Sequence, residues 1–180
     1  RNQPAIYASG TGYAPLVFTY TIQAGDNDTN GISIRADALA LPNGSTIRDL
    51  AENNANLTHS VVDNNSSYKV DTEAPSVDNF TLSDTALKIG DNATVTLVFS
   101  EPVFGFASDD DITADNGTLT AMSSSNDNTT WFGTFTPRTN TEEDNNTLSL
   151  ATSYTDLAGN AGPAETTANY AIDTLLPTIS

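Results

Sequence analysis

The feature that most constrains this chain is that it repeats itself. Residues 48–55 read RDLAENNA and residues 155–162 read TDLAGNAG. Asp49 therefore aligns with Asp156, Leu50 with Leu157, Ala51 with Ala158 and Asn53 with Asn160. Downstream, YKVDTEAPSV (68–77) aligns with YAIDTLLPTI (170–179), which pairs Tyr68, Asp71, Thr72 and Pro75 with Tyr170, Asp173, Thr174 and Pro177. A loop and a linker recur in the same order, the mark of tandem structural units. The sequence stops just after the second linker, as expected of a stretch taken from a longer array.

The units should be built of strands. The 180 residues include 27 Thr, 19 Asn and 17 Asp against 6 Glu. Thr favours strands and Asn and Asp favour turns, whereas helices favour Glu, Lys, Leu and Ala. Alternation and β-branched content place strands at VDNFTLS (77–83), ATVTLVF (93–99), ITADN (112–116), GTLTAMS (117–123), TTWFGTF (129–135), TLSLATSY (147–154) and TTANYAI (166–172). The Asn116-Gly117 pair predicts a hairpin between the third and fourth of these. Seven short strands with frequent turn signals predict an all-β fold, an immunoglobulin-like sandwich.

The first unit matches only part of that pattern. LVFTYTI (16–22) corresponds to TTWFGTF, and GISIRAD (31–37) to TLSLATS. Fifteen residues precede the first of these, whereas residues 77–128 precede its counterpart. The expected organisation is a partial sandwich over 1–70 lacking its N-terminal strands, a linker over 71–75, a complete sandwich over 76–173, and the start of another linker over 174–180. A partial sandwich exposes edges that invite pairing.

Several function classes are excluded. With 23 acidic and 6 basic residues the formal net charge is −17, which opposes binding to nucleic acid or to an anionic membrane surface. No apolar run approaches the roughly 20 residues that span a bilayer. Arg1-Asn2-Gln3-Pro4 opens directly into β-like sequence and carries no signal-peptide pattern. The absence of cysteine removes disulfides, thiolate metal sites and cysteine nucleophiles. An extracellular domain of this kind needs some other staple, and abundant carboxylates and amides suit calcium, a hard cation with oxygen ligands.

VDTEAP, FSEPV (99–103), NGTLT (116–120), TFTP (134–137), YTDLAGN (154–160) and IDTLLP (172–177) resemble bacterial Ig-like repeats of very large surface adhesins, including those exported by type I secretion (RTX adhesins). FTYTIQAGDNDTNGISI (18–34) resembles a sister repeat type of the same proteins. The resemblance implies an extracellular, calcium-binding module of a tandem array on the bacterial cell surface, with roles in cell adhesion and biofilm. Glu52 stands where the second DLAGN-type loop has Gly159, a departure that matters if the position needs a positive φ.

Calcium ligands are expected in loops at the ends of the sandwiches. AGDNDTNG (24–31) carries Asp26, Asp28 and Asn30 in D-x-D-x-N-G spacing, with Asp37 at the twelfth position. Asp, Asn and Gly are turn residues in any case, so a solvated turn is the alternative. Glu101, Asp156 and Asn160 are expected at the N-terminal pole of the second unit, together with Asp109, Asp110 and Asp111. A helix-like turn or a solvated face is the alternative for that acidic run, and a surface strand end is the alternative for Glu101. Asp71 and Glu73 of the linker would join this pole, and Asp173 is the repeat counterpart of Asp71.

Catalysis has little support. The single histidine, His59 in NLTHSVV (56–62), reads as an exposed strand residue, and Trp131 in an alternating strand reads as core. The N-x-S/T triplets follow from Asn and Thr abundance. The expected role is a structural extender of a surface adhesin, rigidified by calcium at its junctions. Its partners would be neighbouring repeats of the same chain, and a host or surface ligand would be met through other domains. The alternative is a module that itself contacts carbohydrate, protein or ice.

Overall fold

The computed structural model describes residues 2–12, 15–125 and 127–179. Arg1 and Ser180, the outer limits of the expected segments, lie outside the described residues. The chain divides into two compact units, Arg1–Glu73 and Ala74–Ser180. The predicted linker is shared between them. In the first unit, Thr72 Oγ1 accepts from the Gly25 amide and the Thr72 amide donates to Asn27 Oδ1, both at 2.9 Å. Pro75 is fully buried and belongs to the second unit.

The first unit holds β1 (Ile6–Ser9), β2 (Val17–Thr19), β3 (Ile32–Ile34) and β4 (Val62–Asn65). They form two antiparallel pairs, β1 with β2 and β3 with β4. The strands expected over 16–22 and 31–37 are thus present in shortened form. Strand β1 was not foreseen. His59 lies in no strand. Its Nε2 accepts from the Ala38 amide at 3.0 Å and its Nδ1 faces the Ser60 carbonyl at 2.8 Å, so Nδ1 carries the proton.

The second unit contains β5 (Val77–Leu82), β6 (Ala86–Lys88), β7 (Ala93–Phe99), the single helical turn α1 (Ser108–Asp111), β8 (Ile112–Ala114), β9 (Gly117–Leu119), β10 (Ser123–Ser124), β11 (Thr130–Pro137), β12 (Glu142–Asn146), β13 (Leu148–Leu150), β14 (Glu165–Thr166) and β15 (Tyr170–Asp173). One layer runs β10-β11-β7-β5, with β9 also on β11. The other is made of β12-β15-β6 and β14-β13-β8. Alternation in β7 turns Ala93, Val95, Leu97 and Phe99 inward, each no more than 2% exposed. They join Phe135 from the same layer and Leu87, Leu148, Leu150, Tyr170 and Ile172 from the other in one cluster. Full burial of such side chains contributes about 1.5–3 kcal/mol each, so this cluster holds the sandwich together. Trp131 is half-buried against it, its ring 4.9 Å from Phe106 and its indole N–H donating to the Asn128 carbonyl.

The expected hairpin at Asn116-Gly117 does not form. Strand β8 pairs with β13 and β9 pairs with β11, so the turn carries the chain from one layer to the other. Only Asn116 takes a positive φ (58°), whereas the hairpin turn favoured by Asn-Gly needs it at both residues. Gly117 is required for close approach: a Cβ there would lie 2.2 Å from Phe135 Cζ.

Candidate metal centre

The two DLAGN-type loops fold alike. In the second unit the Asn160 amide donates to Asp156 Oδ1 (2.8 Å), Asn160 Nδ2 donates to Asp156 Oδ2 (2.7 Å), and the Asp156 amide returns to the Asn160 carbonyl (3.1 Å). In the first unit the Asn53 amide, Asn53 Nδ2 and the Asp49 amide make the same three bonds at 2.8, 2.9 and 3.1 Å. The aspartate organises each loop by accepting donors that a tight turn leaves over. The turn needs a left-handed residue at its fourth position: Gly159 has φ 93° and Glu52 has φ 64°. Glycine is strain-free there and glutamate is not.

The second loop is fixed in place by the core. Tyr154, fully buried, precedes it, and Thr155 exchanges backbone hydrogen bonds with Phe104 at 2.7 and 3.0 Å. Glu101 follows the end of β7, where the Ser100 amide donates to the Ser76 carbonyl (3.0 Å) and the Ser76 amide to Ser100 Oγ (2.9 Å). These contacts gather the segments that bear Glu101 and Asp156. One carboxylate oxygen from each of Asp71, Glu101 and Asp156 lies within 4.8 Å of the others, and these three can hold a metal ion. It is the one such group among the described residues.

Asp156 is 2% exposed. Burial alone would push its pKa up, but the donors from Asn160, Gly159 and Ala158 outweigh burial and hold it below the usual carboxylate value. It stays ionised, as a metal ligand must. Three carboxylates this close repel by about 1–4 kcal/mol per pair near a protein surface, and a divalent cation reverses the sign. Three hard oxygen donors suit calcium, whose ligands stand about 2.3–2.6 Å from the ion.

The other expected ligands have different surroundings. Asp26 is buried at 9% exposure, with its carboxylate accepting from Gln3 Nε2, Tyr20 Oη and the Gln23 amide. It is a hub that ties three segments of the first unit together. Asp28 accepts from the Gly31 amide at 3.0 Å and Asn30 is exposed, while Asp37 accepts from the His59 amide. The D-x-D-x-N-G segment therefore folds as a turn braced by its own aspartates, without the three-carboxylate convergence seen at Asp71.

The acidic run adopts the helix-like alternative. Asp111, 3% exposed, caps its own turn by accepting from the Ala107 amide (2.7 Å) and from Ser153 Oγ, while Asp109 and Asp110 face solvent. Glu73 is exposed and accepts from Asn27 Nδ2 at 3.1 Å. Asn160 serves as a donor to Asp156. Asp173 is exposed and accepts from the Leu175 amide (3.1 Å), as Asp71 does from the Glu73 amide (3.0 Å). An open depression lined by Ile89, Asp91, Asn92, Thr136, Pro137 and Thr174 holds one carboxylate, Asp91, which is paired with Lys88 at 2.9 Å. No helix among the described residues is long and apolar enough to cross a membrane.

Residues 71–172 match the family described as Bacterial Ig-like domain. No curated protein and no solved structure matches the chain. The matched stretch begins on Asp71 and contains Glu101 and Asp156, so the three carboxylates fall inside one family segment. The family is a structural fold rather than a catalytic one, and its members occur in surface proteins. Its match takes in more than half of the sequence and agrees with the all-β sandwich of the second unit, and the chain belongs to the bacterial Ig-like domain family.

Proposed function

We propose that the chain is an extender segment of a bacterial surface adhesin, extracellular and non-catalytic, whose linker is stiffened by a calcium ion held by Asp71, Glu101 and Asp156. The observation that supports it is the convergence of these three carboxylates, from a linker, a strand end and a core-anchored loop. Pro75 fixes its own φ and biases Ala74 toward extended geometry, and Thr72 and Glu73 are bonded to Gly25 and Asn27, so the freedom left lies at the Glu73–Ala74 step. A shared ion removes that freedom, and in an array each locked hinge would lengthen the reach of a distant binding tip. Neighbouring repeats would be the partners along the chain.

The alternative, direct contact with carbohydrate, protein or ice, would call for a distinct exposed apolar or aromatic surface. The first unit exposes such residues, but at positions whose counterparts form the core of the second. They read as core side chains and not as a ligand face.

The test is small-angle scattering of the chain with calcium and with chelator. Asp71→Ala with Asp156→Ala should keep the second sandwich folded, seen as retained Trp131 fluorescence, yet shorten the average length in calcium. An unchanged length distribution for the double variant would remove the stiffening role.

A further inference from the structure

The outer strands of the second unit run in one direction. Strand β5 is antiparallel to β7, and β7 is antiparallel to β11. Val77, which begins β5, lies opposite Phe99 at the end of β7, and Ala93, which begins β7, lies opposite Phe135 near the end of β11. Strand β5 therefore starts at one pole and β11 ends at the other. Thr174, just past β15, donates from Oγ1 to the carbonyl of Arg138, just past β11, at 2.7 Å, so β15 ends at that second pole too. Strand β6 is parallel to β15, with Ala86, Leu87 and Lys88 opposite Ala171, Ile172 and Asp173. The chain enters the unit at one pole and leaves it at the other, and β6 lies beside the last strand.

Strand direction decides what tension does to a ladder. Two paired strands drawn toward opposite poles load all the bonds between them together. Two strands drawn apart from one pole lose their bonds a pair at a time. Tension between the ends of this unit pulls β6, through β5, toward the first pole and β15 toward the second, which is the first case. The bonds of a parallel ladder are evenly spaced and share such a load. Among them the Ala171 amide donates to the Thr85 carbonyl at 2.9 Å. Sliding β15 along β6 would also draw the facing pair Leu87 and Ile172, each fully buried, out of the core into water. Thr174 keeps the pull on this line. It is buried, its amide donates to the Thr141 carbonyl at 2.7 Å, and its Oγ1 accepts from the Thr141 amide at 2.9 Å. The outgoing chain cannot peel sideways from β15 until these bonds break.

We propose that the second unit is a load-bearing element: the β6–β15 ladder, pinned at its end by Thr174, resists tension applied between the two poles. This resistance belongs to the sandwich itself and needs no ion.

The test is single-molecule pulling of the full chain in chelator, so that calcium binding plays no part. The chain has no cysteine, so handles can be placed on single introduced thiols. One protein carries Ala74→Cys with Leu176→Cys, which puts the handles at opposite poles. A second carries Ile89→Cys with Leu176→Cys, which puts both at the pole where β6 and β15 end. All three side chains are exposed, and urea denaturation of each protein reports its equilibrium stability beside the force. Forced unfolding is governed by the barrier along the pull, so at equal stability the first protein should unfold at a force higher by about twofold or more. It should do so in one step of about 300 Å, the length released by drawing out roughly 100 residues. Thr174→Val in the first protein, which keeps the shape and removes the hydroxyl, should lower the force. Equal forces in the two directions, or gradual lengthening without a step in the first, would overturn the load-bearing ladder, and an unchanged force in the Thr174 variant would overturn the pin.

Discussion

At the scale of single residues, the sandwich depends on Asp156 before any ion binds. Its buried carboxylate accepts from Asn160, Gly159 and Ala158, and Asp156→Ala strands those donors. The loss should be about 1–3 kcal/mol in urea denaturation followed by Trp131, the chain's single tryptophan. Because the folded-state pKa is lowered, this contribution is complete above the ordinary carboxylate range and is lost as pH falls through the folded value. Acid unfolding of the parent should therefore show a dependence below about pH 4 that the variant lacks. Gly162 is the other sensitive residue. A Cβ there would sit 2.0 Å from Tyr154 Cε2, while its repeat counterpart is Ala55, opposite Ile47 rather than a tyrosine. Gly162→Ala should cost about 1–3 kcal/mol by overpacking, measured in the same way.

At the scale of elements, most of the second unit was legible because its strands alternate cleanly. ATVTLVF and TTWFGTF announce β7 and β11, and their inward residues are the core. The strand expected over 117–123 is broken into β9 and β10, the one expected over 166–172 into β14 and β15, which pair in different sheets, and two further strands were not legible at all. Strand β6, three residues long, is too short for any period to show, and its parallel pairing with β15 is a long-range event. Strand β12 reads EEDNN and has no apolar residue to reveal it; the β15 ladder holds it. Asn116-Gly117 signalled a turn correctly and the strand partner wrongly, since a local motif cannot say which layer the chain enters next. The candidate ligands divide by the same logic. Asp71, Glu101 and Asp156 were singled out from their places at strand ends and in the linker, and they converge. Asp26 and Asp111 carry the same side chain, but each meets nearby backbone and side-chain donors that spacing alone does not show.

At the scale of the whole molecule, the two units differ in what they bury. Among the described residues the first has no apolar side chain in the buried core, whereas the second has a continuous cluster from Phe80 to Ile172. Two short strand pairs with little buried apolar surface do not offset the conformational entropy of ordering their chain, which runs at about 1–2 kcal/mol per residue for the backbone. Residues 74–180 made alone should melt in one cooperative transition by calorimetry, and residues 1–73 made alone should show none. A cooperative transition in the shorter piece would mean that its two strand pairs suffice.

The central claim is that Asp71, Glu101 and Asp156 bind calcium. The most direct measurement is a calorimetric calcium titration of the chain beside its Glu101→Gln variant, which removes one charge from a half-exposed side chain and spares the hydrogen bonds of Asp156. At a hundredfold excess over Kd a native-state ion adds about 2.7 kcal/mol of stability, so a parallel melting series reports the same event. The account predicts a saturable calcium heat and a raised Tm in the parent, with affinity lower by tenfold or more in the variant. Equal calcium affinity in the two proteins, or no calcium heat in either, would contradict it.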